Sequence, residues 1–169
     1  MVISSNQGAA PIRSGGLDAM TSKFIDMPIP PLVVEVEKWQ LCFFAKAVGE
    51  TNPIYFDEAA ARAAGHPSIL APPTYAVTLS LCEADPYARY RSLGIDWCRM
   101  LHAHQGFEYF APVHAGDRLR FQSRIVDFIQ RRQGRLKFLI EETEAWNQDD
   151  ILTTRFRKTI VIRDPGTQP

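Results

Sequence analysis

The chain contains no run of about 18 apolar residues, the length a helix needs to cross a bilayer, so no transmembrane helix is expected. It has no excess of charge of either sign, since 19 lysines and arginines face 19 aspartates and glutamates. That balance gives no pull toward nucleic acid or an anionic membrane surface. Cysteine is scarce. Cys42, Cys82 and Cys98 lack metal-like spacing, and an odd number in apolar surroundings reads as buried thiols in a reducing compartment. The N-terminus lacks a basic stretch followed by an apolar core, so no secretory signal is expected and a cytoplasmic location is. Histidine is sparse too. His102 and His104 would share one face of a strand, but no third ligand stands near, so neither a metal nor a cofactor is expected.

What remains is an ordinary globular composition, 46% hydrophobic and 22% charged. A chain of 169 residues with no internal repeat predicts one domain. Residues 1–25 read as a flexible N-terminal arm, 26–163 as the folded domain and 164–169 as a tail. Met27 to Leu32 is held extended by its prolines. Over 35–48, Val36, Trp39, Phe43, Phe44 and Ala47 recur at helical spacing, and Gly49 stands where a helix-ending glycine belongs. Asp57 caps a short alanine-rich helix closed by Gly65. Pro72 and Pro73 suit the first turn of a helix running to about Glu83, apolar nearly all round and therefore buried. Residues 84–99 read as loop or a short irregular helix. Alternating patterns then predict antiparallel strands over 104–110, 118–130, 136–146 and 151–162, separated by Pro112…Gly116-Asp117, Gly134 and Asn147 to Asp150. Helices followed by a run of antiparallel strands argue α+β.

The most informative stretch is Gly49-Glu-Thr-Asn-Pro-Ile-Tyr55, followed by Ile69-Leu-Ala-Pro-Pro73 and, downstream, by the Pro112-x-x-x-Gly116-Asp117 corner. Together these resemble the MaoC-like hot-dog hydratases and dehydratases, over roughly residues 30–163. The resemblance implies a single hot-dog fold, an antiparallel sheet wrapped around a long buried central helix. Catalytic members read Gly-Asp-x-Asn-Pro-x-His and then Ile-Val-His-Gly-Met. Their Asp and His form an acid/base dyad, and the N–H at the second Gly polarises an acyl thioester carbonyl. In this chain the Asp falls on Glu50 and the dyad His on Tyr55. The second motif's His falls on Ala71, and its Gly on Pro72.

Those departures have chemical weight. Glu moves the carboxylate by about a methylene. Tyr, with an ordinary pKa near 10, is a poor proton shuttle at neutral pH. Proline has no N–H, and losing one oxyanion donor costs about 10²–10³ in rate. The altered pattern is similar to the FAS1-like dehydratase N-terminal type and to the non-catalytic subunit of a heterodimeric hydroxyacyl thioester dehydratase. The resemblance implies an acyl-CoA or acyl-carrier-protein thioester as ligand. It implies a homodimer, or a heterodimer with a dyad-bearing hot-dog subunit.

Glu50, Tyr55 and His66 are the candidate catalytic residues, His66 because it is the titratable imidazole nearest the mapped site. Asn52, Ala71, Thr74 and Ala76 are the candidate substrate-binding residues. The bland alternatives are a loop carboxylate, a core-facing tyrosine and, for Asn52, a turn that bonds its own backbone. Arg118, Arg120, Arg124, Arg131, Arg132, Arg135, Arg155, Arg157, Lys158 and Arg163 form a basic set for coenzyme A phosphates, or simply the solvated face of the sheet. Other readings stay open: an autonomous hydratase with an altered site, a thioesterase using Glu83 or Asp85, or a plain acyl-binding protein.

Overall fold

The computed structural model describes residues 24, 25 and 27–163. The expected arm and tail lie almost wholly outside them. Phe24, at the arm's inner end, is helical and buried, stacked on Phe128 with ring centroids 4.2 Å apart.

Among the described residues five strands form one antiparallel sheet. They are β1 (Leu32–Glu35), β2 (Met100–Tyr109), β3 (Arg118–Arg131), β4 (Leu136–Trp146) and β5 (Leu152–Arg163). Their spatial order is β1-β3-β4-β5-β2, which leaves β1 and β2 at the edges. Between β1 and β2 run the helices α1 (Lys38–Ala47), α2 (Glu58–Ala63), α3 (Tyr75–Leu79) and α4 (Ala88–Ser92), with single 3₁₀ turns at Pro53–Tyr55 and Trp97–Arg99. This is the α+β hot-dog arrangement. The strand pattern, read by alternation, holds for β3, β4 and β5. The turns fall where polar residues tolerate left-handed backbone, at Arg132, Gln133 and Gly134 and again at Asp150.

Four expectations are corrected. β1 and the start of β2 were not expected as strands; prolines on one side and the 3₁₀ turn on the other mask their short patterns. The inner face of α1 carries Leu41 and Ala45, with Phe44 half-buried, while Trp39, Phe43 and Ala47 face outward. Helical spacing alone does not say which of two apolar stripes is the inner one. The central helix is short. The chain leaves α3 at Ser80, whose hydroxyl bonds back to the Val77 carbonyl at 2.7 Å. Pro86 then disfavours helix at the residue before it. Finally, Cys82 is exposed because the helix that would have buried it ends before it, and Cys98 is exposed in the 3₁₀ turn Trp97–Arg99. Cys42 is half-buried, and all three thiols are free.

The inner face of the sheet carries two apolar clusters. One gathers Leu41, Ile69, Tyr75, Leu79, Leu119 and Phe156 under α1 and α3. The other gathers Phe24, Tyr90, Ile125, Phe128, Leu139 and Ile160 under α4. No described helix is long and apolar enough to cross a membrane.

Candidate functional site

The site is built from two loops and the first turn of α3. Gly49, with φ +79°, ends α1 in the left-handed region that favours glycine. The chain then enters the 3₁₀ turn Pro53–Tyr55. Asn52 caps that turn, its Oδ1 accepting from the Ile54 N–H at 3.2 Å. Asp57 caps α2, its Oδ1 accepting from the Ala59 and Ala60 N–H groups at 2.6 and 3.1 Å. Both are thereby committed to local backbone, as their residue types favour.

The second loop is tied down on both sides. The Leu70 N–H bonds to the Ile54 carbonyl at 3.1 Å, and the Ala71 N–H to the Val113 carbonyl at 2.8 Å. The Ala115 N–H bonds to Ile69 at 3.0 Å, and Leu70 and His114 form an isolated bridge. The Pro112-x-x-x-Gly-Asp corner therefore clamps the loop. Gly116 takes φ +90° there, and Asp117 Oδ2 accepts from the His114 N–H at 2.8 Å.

A cavity of about 360 Å³ opens between these loops and the end of the sheet. Tyr55, Ala71, Pro72 and Ala76 line it, together with Tyr109 and Thr154. Of the residues singled out from sequence, Tyr55, Ala71 and Ala76 thus meet in one place. Glu50, Asn52, His66 and Thr74 are not on its wall. Burial and then the Glu50 charge raise the Tyr55 pKa, so its hydroxyl stays protonated and donates at neutral pH. Tyr75 is buried at the base of α3, where it donates to Gln40 Oε1 at 2.9 Å. Its pKa is pushed up to about 12, first by burial.

The backbone at this cavity offers little to an oxyanion. Pro72 and Pro73 have no N–H. The Ala71 N–H is already spent on Val113.

His66 belongs elsewhere. Its Nδ1 lies 3.2 Å from Nε2 of His114, whose Nδ1 is 3.9 Å from Asp117 Oδ2. The sequence reading missed His114 and Asp117 as partners of His66, because they stand far along the chain in the corner motif. Burial lowers the His114 pKa, with the neighbouring His66 adding to the effect and Asp117 opposing it. His102 and His104 are exposed and separated by a register shift in β2. Among the described residues no group of three metal-ligating side chains occurs.

The basic set divides. Arg120 pairs with Asp150 at 3.0 Å, Arg157 with Glu142 at 2.7 Å and Arg155 with Glu144 at 2.8 Å, all across neighbouring strands or turns. Lys158 is not on that solvated face. It points inward and meets the buried Glu141 at 2.8 Å. Glu83 and Asp85, the carboxylates a thioesterase reading needs, pair with Arg89 and Arg91 beyond the end of α3.

Residues 23–154 match the model of the FAS1-like, dehydratase domain region. A UPF0336 protein of Saccharopolyspora erythraea is 34% identical over 151 residues, 89% of this chain and 96% of that protein. One from Streptomyces griseus is 41% identical over 108 residues, 63% of this chain and 72% of its own. The HadBC (3R-hydroxyacyl-ACP dehydratase) complex of Mycobacterium tuberculosis superposes with a TM-score of 0.65 at 24% identity, covering 79% of this chain and 92% of that one. The ChsH1–ChsH2 complex of the same organism gives 0.67 at 23%, covering 84% and 87%. At such identities the likeness speaks for the fold. The family match spans most of the chain, and with it the loops that build the cavity, so the chain belongs to the FAS1-like dehydratase domain region family.

Proposed function

We propose that this protein is an acyl-thioester-binding hot-dog subunit that shapes the acyl site while a second hot-dog chain supplies the acid and base. One observation carries the reading. Pro72, which the resemblance sets at the oxyanion position, lines the cavity without an N–H to donate, and the neighbouring Ala71 N–H is bonded to Val113. A carbonyl placed there gains a hydroxyl donor from Tyr55 but no oxyanion hole.

The edge of the sheet supports a partner. Among the described residues β2 pairs only with β5, and Leu101, Tyr109 and Phe110 on and beside it are about half exposed. A ten-residue edge beside apolar side chains, irregular only at His102–His104, is a template for a second sheet. Tyr109 and Phe110 also line the cavity, so a chain docked on β2 would complete its wall. The similar structures include two-chain complexes, HadBC and ChsH1–ChsH2, which agrees with a heterodimer. The ligand is an acyl-CoA or acyl-carrier-protein thioester, and the setting is cytoplasmic fatty-acid metabolism.

The test is reconstitution. The chain is mixed with a hot-dog subunit that keeps Asp and His, and crotonyl-CoA binding is followed by calorimetry. Tight binding by the complex and weak binding by each chain alone supports the reading. Unchanged binding on mixing contradicts it.

A further inference from the structure

A second cavity, of about 420 Å³, lies on the same face of the sheet as the first. On β5, Thr154 lines the first cavity, and Phe156, Lys158 and Ile160 line the second. Alternate strand residues share a face, so these four follow one another in a row. The neighbouring strands are in register. Tyr109 and Ala145 flank Thr154, Phe107 and Thr143 flank Phe156, and Gln105 and Glu141 flank Lys158. The two cavities thus lie along one track of side chains, separated by the Phe107–Phe156 pair, ring centroids 6.1 Å apart.

The far end of this track is polar where the fold calls for an apolar wall. Gln105, Lys158 and Glu141 form a cross-strand row between the two apolar clusters. Arg89 and Tyr90 of α4 close over it. Glu141 is 1% exposed and accepts from the Tyr90 hydroxyl at 2.8 Å. Its other oxygen is 2.8 Å from Lys158 Nζ and 3.4 Å from Arg89 Nη2. Glu83 lies 3.5 Å from Arg89 as well. Two cations therefore meet two carboxylates. Two polar atoms of the cavity's lining residues remain out of contact with solvent and unpartnered, the Arg89 Nε–H donor and the Gln105 Oε1 acceptor. Unmade bonds of that kind are costly, and a matching group recovers them.

We propose that the second cavity receives the far end of the bound acyl group, and that this end carries an uncharged oxygen, a hydroxyl or carbonyl. The proposal rests on the acyl-thioester reading. Charge balance selects the neutral group, since an ionised one would upset the pairing of Arg89 and Lys158 with Glu83 and Glu141. A hydroxyl can both accept and donate, which suits the Arg89 donor and the Gln105 acceptor once these side chains turn toward the cavity. The apolar remainder, with Val77, Leu81, Trp97 and Ile160, suits the hydrocarbon before it. Four strand residues from Thr154 to Lys158 put the polar end about 13 Å beyond the first cavity.

The test compares dodecanoyl-CoA with ω-hydroxydodecanoyl-CoA by calorimetry on the complex of the full chain with a hot-dog subunit that keeps Asp and His, in parent and Gln105→Leu forms. Gln105→Leu is near-isosteric and leaves the Glu141 ion pairs intact, whereas Lys158→Met strands a buried carboxylate. A preference of about tenfold for the hydroxylated thioester in the parent, lost in Gln105→Leu with dodecanoyl-CoA binding unchanged, is the expected result. Equal affinity of the parent for both thioesters overturns the polar end and leaves the acyl-thioester reading standing. Binding of neither overturns both. A preference that persists in Gln105→Leu and in Lys158→Met, with both variants folded by circular dichroism, also overturns the assignment.

Discussion

Ala76 is the residue on which the ligand reading turns most directly. It is buried, stands on α3 and lines the first cavity, so its small side chain leaves the space an acyl group needs. Ala76→Trp fills that space. The expected outcome is loss of long-chain acyl-CoA affinity with short-chain affinity retained, measured by calorimetry across chain lengths. Equal loss of all lengths, or none, removes Ala76 from the acyl path. His114 makes a second prediction at this scale. Its folded pKa lies below the ordinary 6.5, chiefly through burial, so the unfolded chain takes up a proton at higher pH than the folded one. Its contribution to stability is fully present above about pH 6.5 and declines as the pH falls toward the folded value. Urea midpoints from about pH 7.5 down to 5 should fall less steeply in His114→Gln than in the parent. Parallel slopes would show that the His66–His114 contact carries no such linkage.

At the scale of elements, β2 is the exposed edge and the predicted seam. Leu101→Lys together with Tyr109→Lys places charge on two of its half-exposed positions. Edge lysines block strand addition, so the pair should shift a dimer to monomer in light scattering at micromolar concentration while the melting temperature stays within a few degrees. An unchanged mass would place the seam elsewhere. The elements themselves were unequally legible. β3, β4 and β5 are long and alternate cleanly, and α2 carries its cap and its closing glycine in the sequence. Thr74 to Cys82, apolar nearly all round, predicts a longer central helix than the five residues present. Composition does not reveal that Ser80 turns its hydroxyl onto its own backbone and lets the chain leave the helix. Tyr55, Ala71 and Ala76 could be placed together because the motif's spacing sets two loops and the first turn of α3 side by side. The Gln105–Lys158–Glu141 row could not, since cross-strand register is set by turns and bulges that no single strand's pattern encodes.

For the molecule as a whole, the proposed function joins a binding scaffold to an incomplete catalytic one. The sheet, the clamped loops and the cavity are present, while the family resemblance sets Glu50, Tyr55 and Pro72 at the positions of the proton-transfer pair and the oxyanion donor. The measurement that tests this most directly is the rate of crotonyl-CoA hydration by the isolated chain, followed by the rate after addition of a subunit that keeps Asp and His. The account predicts a rate for the chain alone about 10³ or more below that of the complex, from the missing donor and the mismatched acid and base. Robust turnover by the isolated chain would contradict it and make Glu50, Tyr55 or His66 the catalytic group.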